Sequence, residues 1–171
     1  EKLDSTLMSE ILDRAKQEQD LRRLGAEEGY SPDIVARLKQ VDADNTIFIK
    51  EFVHTHGWPK ISETGKEVAE AVWLMVQHSP DVNFMEKCLR MMETMLDEVE
   101  PTNLVRTIDR VRILKGKPQY YGTHFRQKAD GTHEVIRPIE DEENVDERRR
   151  ALGMPSIREK LEQYDEEIRA R

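Results

Sequence analysis

Apolar residues recur at three- and four-residue spacing along most of this chain, the period of helices that bury one face. Residues 4–23 form the first such stretch. Asp4 or Ser5 caps it, and Leu7, Ile11, Leu12 and Ala15 mark its apolar side. Glu10, Arg14, Glu18 and Arg22 read as its solvated charged face, spaced for i, i+4 pairing. Gly25 ends it. Ser31-Pro32 starts a second stretch, because serine caps and proline suits the first helical position. Ile34, Val35 and Leu38 follow, then a restart at Asp42 or Asp44 before Ile47, Phe48, Phe52 and Val53. His56-Gly57 closes this segment, and Trp58-Pro59 makes a rigid turn.

Residues 63–78 are predicted as the central helix. From Ala69 to Val76 the chain is apolar nearly all round except for Glu70, and a helix without a polar face is a buried one. It ends in two polar residues, Gln77 and His78. Asp81 caps a fourth helix over 82–98, with Phe84, Cys88, Met91, Met92 and Met95 inward. Pro101 opens a fifth, ending near Gly116. The period then changes: YGTHFRQ, KADG and THEVIRP predict a small β-hairpin near 121–137 around an Asp-Gly turn. EDEENVDERRR reads as a solvated connection or a helix start. Pro155-Ser156 opens a last helix, 156–171, with Ile157, Leu161, Tyr164 and Ile168 on one face. The expected fold is mainly α: residues 1–30 as an N-terminal helix and linker, and 31–171 as one helical bundle around the buried 63–78 helix.

Composition narrows the function. The 171 residues carry a formal charge of −8, and phosphate backbones repel an acidic chain, so no nucleic-acid partner is expected. The longest purely apolar run, 71–76, is far short of the roughly 20 residues a membrane helix needs, so no membrane partner is expected either. One cysteine, Cys88, rules out an internal disulfide. With no basic-then-apolar leader at the start, a cytoplasmic location is the expectation.

The candidate chemistry begins at His78, whose imidazole titrates near neutrality and serves as acid, base or ligand. Two readings of Gln77 and His78 stand side by side: they satisfy the loop after the helix, or they line a site. Asp109-Arg110 sits in an apolar stretch and is either a structural ion pair or, through Arg110, a clamp for a carboxylate or phosphate. Gln119, Tyr121, Thr123 and His124 place four hydrogen-bonding side chains around one glycine, where helix gives way to strand. The window 103–128 is basic and can attract an anionic small molecule. No cofactor is expected. A divalent metal on His54, His56 or His78 is a minor alternative, since no paired cysteines, no H-E-x-x-H and no phosphate loop are present.

HGWP at 56–59, AVWLMVQHSPD at 71–81, IDRVRILKGKPQYYGT at 108–123 and RRRALGMPSI at 148–157 resemble, in the same order, the motifs of a family of small bacterial proteins of unknown function. The resemblance covers about residues 42–160. It implies that Gly57, Trp58, Pro59, Trp73, Gln77, His78, Asp109, Arg110, Gln119, Tyr121, Gly122 and Thr123 stand at motif positions. His124 departs from the pattern, where the family carries glutamine. The resemblance supplies no activity, but it favours a shared site over separate caps. The expectation is a small enzyme performing acid/base chemistry on a polar or anionic metabolite around Gln77 and His78. His78, Asp109 and Tyr121 would be catalytic; Trp58, Trp73, Gln77, Arg110, Gln119, Thr123 and His124 would contact the substrate. The rival is a binding module whose charged terminal helices, 4–23 and 156–171, dock a protein partner or a second copy.

Overall fold

In the computed structural model, which describes residues 3–170, the helix-start residues act as their chemistry dictates. The side chains of Asp4, Ser31, Asp81 and Ser156 accept hydrogen bonds from the amides of Thr6, Ile34, Phe84 and Glu159, satisfying donors that a helix start leaves unpaired. Glu159 returns a bond to the Ser156 amide, completing a capping box. The described residues hold eight α-helices and one two-stranded antiparallel sheet. This is the mainly α architecture with a small hairpin that the periodicity predicts. The chain divides into two compact units, one through Val99 and one from Glu100.

The first unit contains α1 (Ser5–Glu28), α2 (Pro32–His56), α3 (Ile61–Thr64), α4 (Lys66–Gln77) and α5 (Val82–Glu93). Helices α1, α2 and α4 pack against one another in pairs. The apolar α4 is buried along most of its length, from Val68 to Gln77. Four boundaries differ from expectation. Helix α1 runs through Gly25 because the ring of Tyr30 lies against that residue: a Cβ there would meet the ring at 2.4 Å. Helix α2 does not restart at Asp42, which keeps its helical place while its carbonyl accepts the Thr46 hydroxyl at 2.6 Å. The central helix is divided at Gly65, whose φ of +84° is costly for any residue with a side chain. Helix α5 stops at Glu93, and Leu96–Glu98 forms a 3-10 turn. Cys88 is a fully buried core thiol, and burial pushes its pKa up to about 12.

The second unit contains α6 (Pro101–Leu114), β1 (Phe125–Gln127), β2 (His133–Val135), α7 (Val145–Ala151) and α8 (Ile157–Arg169). The hairpin pairs Phe125 with Val135 and Gln127 with His133, around a turn whose Gly131 has φ +85°. Val135, Ile139 and Val145 form its apolar core, with Phe125 and Ile157 against them. The charge run 140–150 is not merely a solvated connection. From Val145 onward it is α7, the helix start that is the alternative expectation, and it carries Arg149 inward to 2% exposure.

Candidate functional site

His78 caps the C-terminal end of α4 with φ −93° and ψ 0°. Its Nδ1 is hydrogen-bonded to a carboxylate oxygen of Glu18 on α1. The i, i+4 charge spacing predicts Glu18 on the solvated face of α1, but it is wholly buried. The reason is its register: Glu18 lies seven residues after Ile11 and three after Ala15, both buried, so it shares their face. A charged residue at a core-facing position of an otherwise regular stripe was the signal available.

Glu18 is held on three sides. Besides His78, it accepts from Arg22 Nε at 3.2 Å and from Asn45 Nδ2 at 3.3 Å. Arg22 in turn donates from Nη2 to both carboxylate oxygens of Asp42, at 2.8 and 2.9 Å. Burial pushes the Glu18 carboxyl up, but the bonds and charges of His78 and Arg22 together outweigh it and leave it below its ordinary value. Asp42 behaves oppositely: burial, helped by the Glu18 charge, raises its carboxyl despite Arg22. An ionised Glu18 only accepts, so Nδ1 of His78 carries a hydrogen toward it and Nε2 is the ring nitrogen left for another partner. The His78 side chain is 27% exposed, so the ring reaches the surface while its partner does not.

Of the remaining first-unit candidates, Trp58, Trp73 and Gln77 are buried, whereas His54 and His56 are exposed. Gln77 and Trp73 lie in α4 at 7% and 3% exposure. Trp58, in the turn after α2, lines a cavity of about 210 Å³ with His56. His56 itself packs against the ring of Phe52.

In the second unit the structure brings Asp109, Gln119, Tyr121, Thr123 and His124 together around residues 119–124. Asp109, fully buried on α6, accepts from the amides of Tyr120 at 2.6 Å, Tyr121 at 3.0 Å and Thr123 at 2.9 Å, and from the Thr123 hydroxyl at 2.8 Å. Asp109 and Arg110 therefore do not pair with each other: neighbours on a helix point about 100° apart, and the loop takes both oxygens of Asp109. The Gln119 side chain imitates a strand. It donates to the carbonyls of Ile136 at 2.5 Å and His124 at 3.2 Å and accepts from the His124 amide at 2.8 Å.

The loop carbonyls are served from α7, by two arginines that local pattern does not single out. Arg148 donates to Tyr120, and Arg149 donates to Tyr121 at 2.9 Å and Gly122 at 3.0 Å. At Gly122, φ is +59° and a Cβ would meet the Ile157 Cδ1 at 2.8 Å, so any side chain there is strained and must push Ile157 aside. The Q-x-Y-G-T pattern is thus a backbone-satisfaction device as much as a ligand edge.

Tyr121 is a weaker acid than free tyrosine, through burial first and the neighbouring Tyr120 and Asp109 second. Burial likewise drives His124 from 6.5 down to about 4, with Arg110 and Arg106 acting the same way and Asp109 opposing them. The Thr123 hydroxyl hydrogen goes to Asp109, so the neutral His124 donates from Nδ1 into Thr123 Oγ1 at 3.1 Å. A base whose folded pKa lies below its unfolded one takes fewer protons when folded. Its contribution to stability is full above pH 6.5 and is lost as pH falls toward 4. His124→Gln should therefore remove about 3 kcal/mol of the acid sensitivity between pH 7 and pH 4. Urea unfolding of both proteins at the two pH values reads this difference, and equal slopes would refute it.

Among the described residues, no group of three or more His, Cys, Asp or Glu side chains stands together as a metal site would require. Nor is any of their helices long and apolar enough to cross a membrane. No curated protein and no solved structure matches the chain. A model of a family of unknown function, DUF6624, matches residues 5–168, nearly the whole sequence, and the chain belongs to that family.

Proposed function

We propose that this protein is a small enzyme that performs acid/base chemistry on a small polar or anionic metabolite, with His78 as the proton-transfer group. The observation that carries this reading is the Glu18–His78 pair: a buried carboxylate, itself fixed by Arg22 and Asn45, bonded to Nδ1 of a ring that reaches the surface. That arrangement sets the tautomer, orients Nε2 and stabilises the imidazolium formed when Nε2 takes a proton. Glu18 acts through His78 and is a positioning residue. Hydrolysis, isomerisation and cyclisation are all within reach of one such imidazole without a cofactor.

The test is a turnover panel of small esters, lactones, amides and enolisable keto acids, run on wild type, His78→Gln and Glu18→Gln. The expected result is turnover by wild type that drops by about 10²-fold or more in His78→Gln, with melting temperature little changed. In Glu18→Gln the pH–rate profile should move as well. No turnover anywhere in the panel, or turnover that survives His78→Gln, overturns the reading.

A further inference from the structure

A second feature is independent of His78 and lies wholly within the second unit. A cavity of about 420 Å³ opens there between the start of β1, the turn after α7 and one face of α8. Its wall includes three cationic side chains, Arg106, Arg149 and Lys160, and no carboxylate. In a chain of net charge −8, a cavity lined by one sign of the opposite charge is a local reversal, and such a cavity concentrates anions.

Arg149 is the decisive member. It is 2% exposed, yet it forms no ion pair among the described residues. Its Nε donates to the Pro155 carbonyl at 2.7 Å, and its Nη1 donates to Tyr121 and Gly122. These neutral acceptors fix the guanidinium plane. Nη2 has no hydrogen-bond partner among the described residues. A buried guanidinium costs free energy unless its donors and charge are answered. Asp146 and Asp109 act on the guanidinium through space without bonding to it, and Nη2 is left for an acceptor carrying negative charge that enters through the cavity. Lys160, held over the Tyr164 ring with Nζ 4.6 Å from its centre, supplies a second positive charge. An apolar and aromatic stretch of the wall adjoins these charges: Phe125 and Tyr164 meet edge to face at 5.4 Å, with Met154 and Pro155 beside them, while Thr102, Thr123 and Gln163 add uncharged polar groups. The volume suits a metabolite rather than a bare ion.

We infer that this cavity binds a small organic oxyanion, a carboxylate or phosphate ester with a flat apolar body, its anionic end on Nη2 of Arg149 and on Lys160 and its body against Phe125 and Tyr164. The chemistry on the page asks for both halves: a fixed cationic donor and an aromatic wall.

The experiment is NMR titration of the full chain with four probes: benzoate, phenyl phosphate, inorganic phosphate and neutral benzamide. Saturable shifts are expected at Thr123, Phe125, Gly153 and Lys160 with benzoate or phenyl phosphate. Which of the two binds tighter separates the carboxylate from the phosphate source. Benzamide and inorganic phosphate should each bind about tenfold more weakly or not at all. Arg149→Met is a direct test but loses two bonds to the 119–124 loop and one to Pro155, so Lys160→Glu serves as the second variant. It should weaken the anion about tenfold while shifts distant from the cavity stay at wild-type positions. Benzamide binding as tightly as benzoate overturns the inference. So does inorganic phosphate matching phenyl phosphate, or undiminished affinity in Lys160→Glu, or no saturable shift with either aromatic anion.

Discussion

Asp109→Ala will destabilise the protein by about 3–5 kcal/mol, the largest loss expected from a single side chain here. The carboxylate is the only acceptor given to the amides of Tyr120, Tyr121 and Thr123 among the described residues. Each buried donor left unanswered costs roughly 1–3 kcal/mol, and partial relaxation and water entry keep the total below the sum. Asp109→Asn should do little better. Its one carbonyl oxygen can still serve Tyr120 and Tyr121, but its amide then faces the Thr123 N–H, donor against donor. Urea unfolding followed by tryptophan fluorescence and by circular dichroism measures both variants. A loss under about 1 kcal/mol in either would show that the loop finds other acceptors, because that is the net worth of a single ordinary hydrogen bond.

Glu18→Ala comes second, with an expected loss of about 2–4 kcal/mol. Alanine removes the shared acceptor of His78, Arg22 and Asn45 and leaves space at a position with no exposure. Arg22 keeps its bonds to Asp42, which is why the cost falls below that at Asp109. The variant also changes the acid limb of stability. The Glu18 carboxyl lies below its ordinary value when folded, so its contribution is present above the unfolded pKa and disappears as pH falls through the folded one. Asp42, raised by burial, has the opposite sign: its contribution is full below the unfolded pKa and lost as pH rises through the folded one. Glu18→Ala should therefore flatten the loss of stability on acidification. An acid limb as steep as that of wild type would mean that Glu18 is not ionised against His78.

Helix identity was largely legible in the sequence because it depends on local terms. Capping by Asp4, Ser31, Asp81 and Ser156 needs only a side-chain oxygen and an amide two or three residues away. The apolar stripe of α4 needs only a period. The errors arose where a non-local contact outweighed a local preference. Gly25 stays helical under the ring of Tyr30, and Asp42 stays helical while it holds Arg22. The run 140–150 reads as a solvated connection or a helix start because its charges dominate a short window, and neither reading turns Arg149 inward. Arg149 turns inward for carbonyls at Tyr121 and Gly122, more than 25 residues earlier.

By itself, the sequence determined a mainly helical chain with a hairpin near 121–137, a buried helix ending at Gln77 and His78, and a clustered Q-x-Y-G-T motif. Each follows from spacing, turn chemistry or burial preference within a short window. Only the tertiary structure decided what these side chains face. It joined His78 to Glu18 across 60 residues, turned Asp109 and Gln119 toward the backbone they hold, and left Nη2 of Arg149 at the wall of a cationic cavity. The physical reason is that an ionisable group's role depends on its partners and its dielectric surroundings, and both are set by packing between segments that no local pattern encodes.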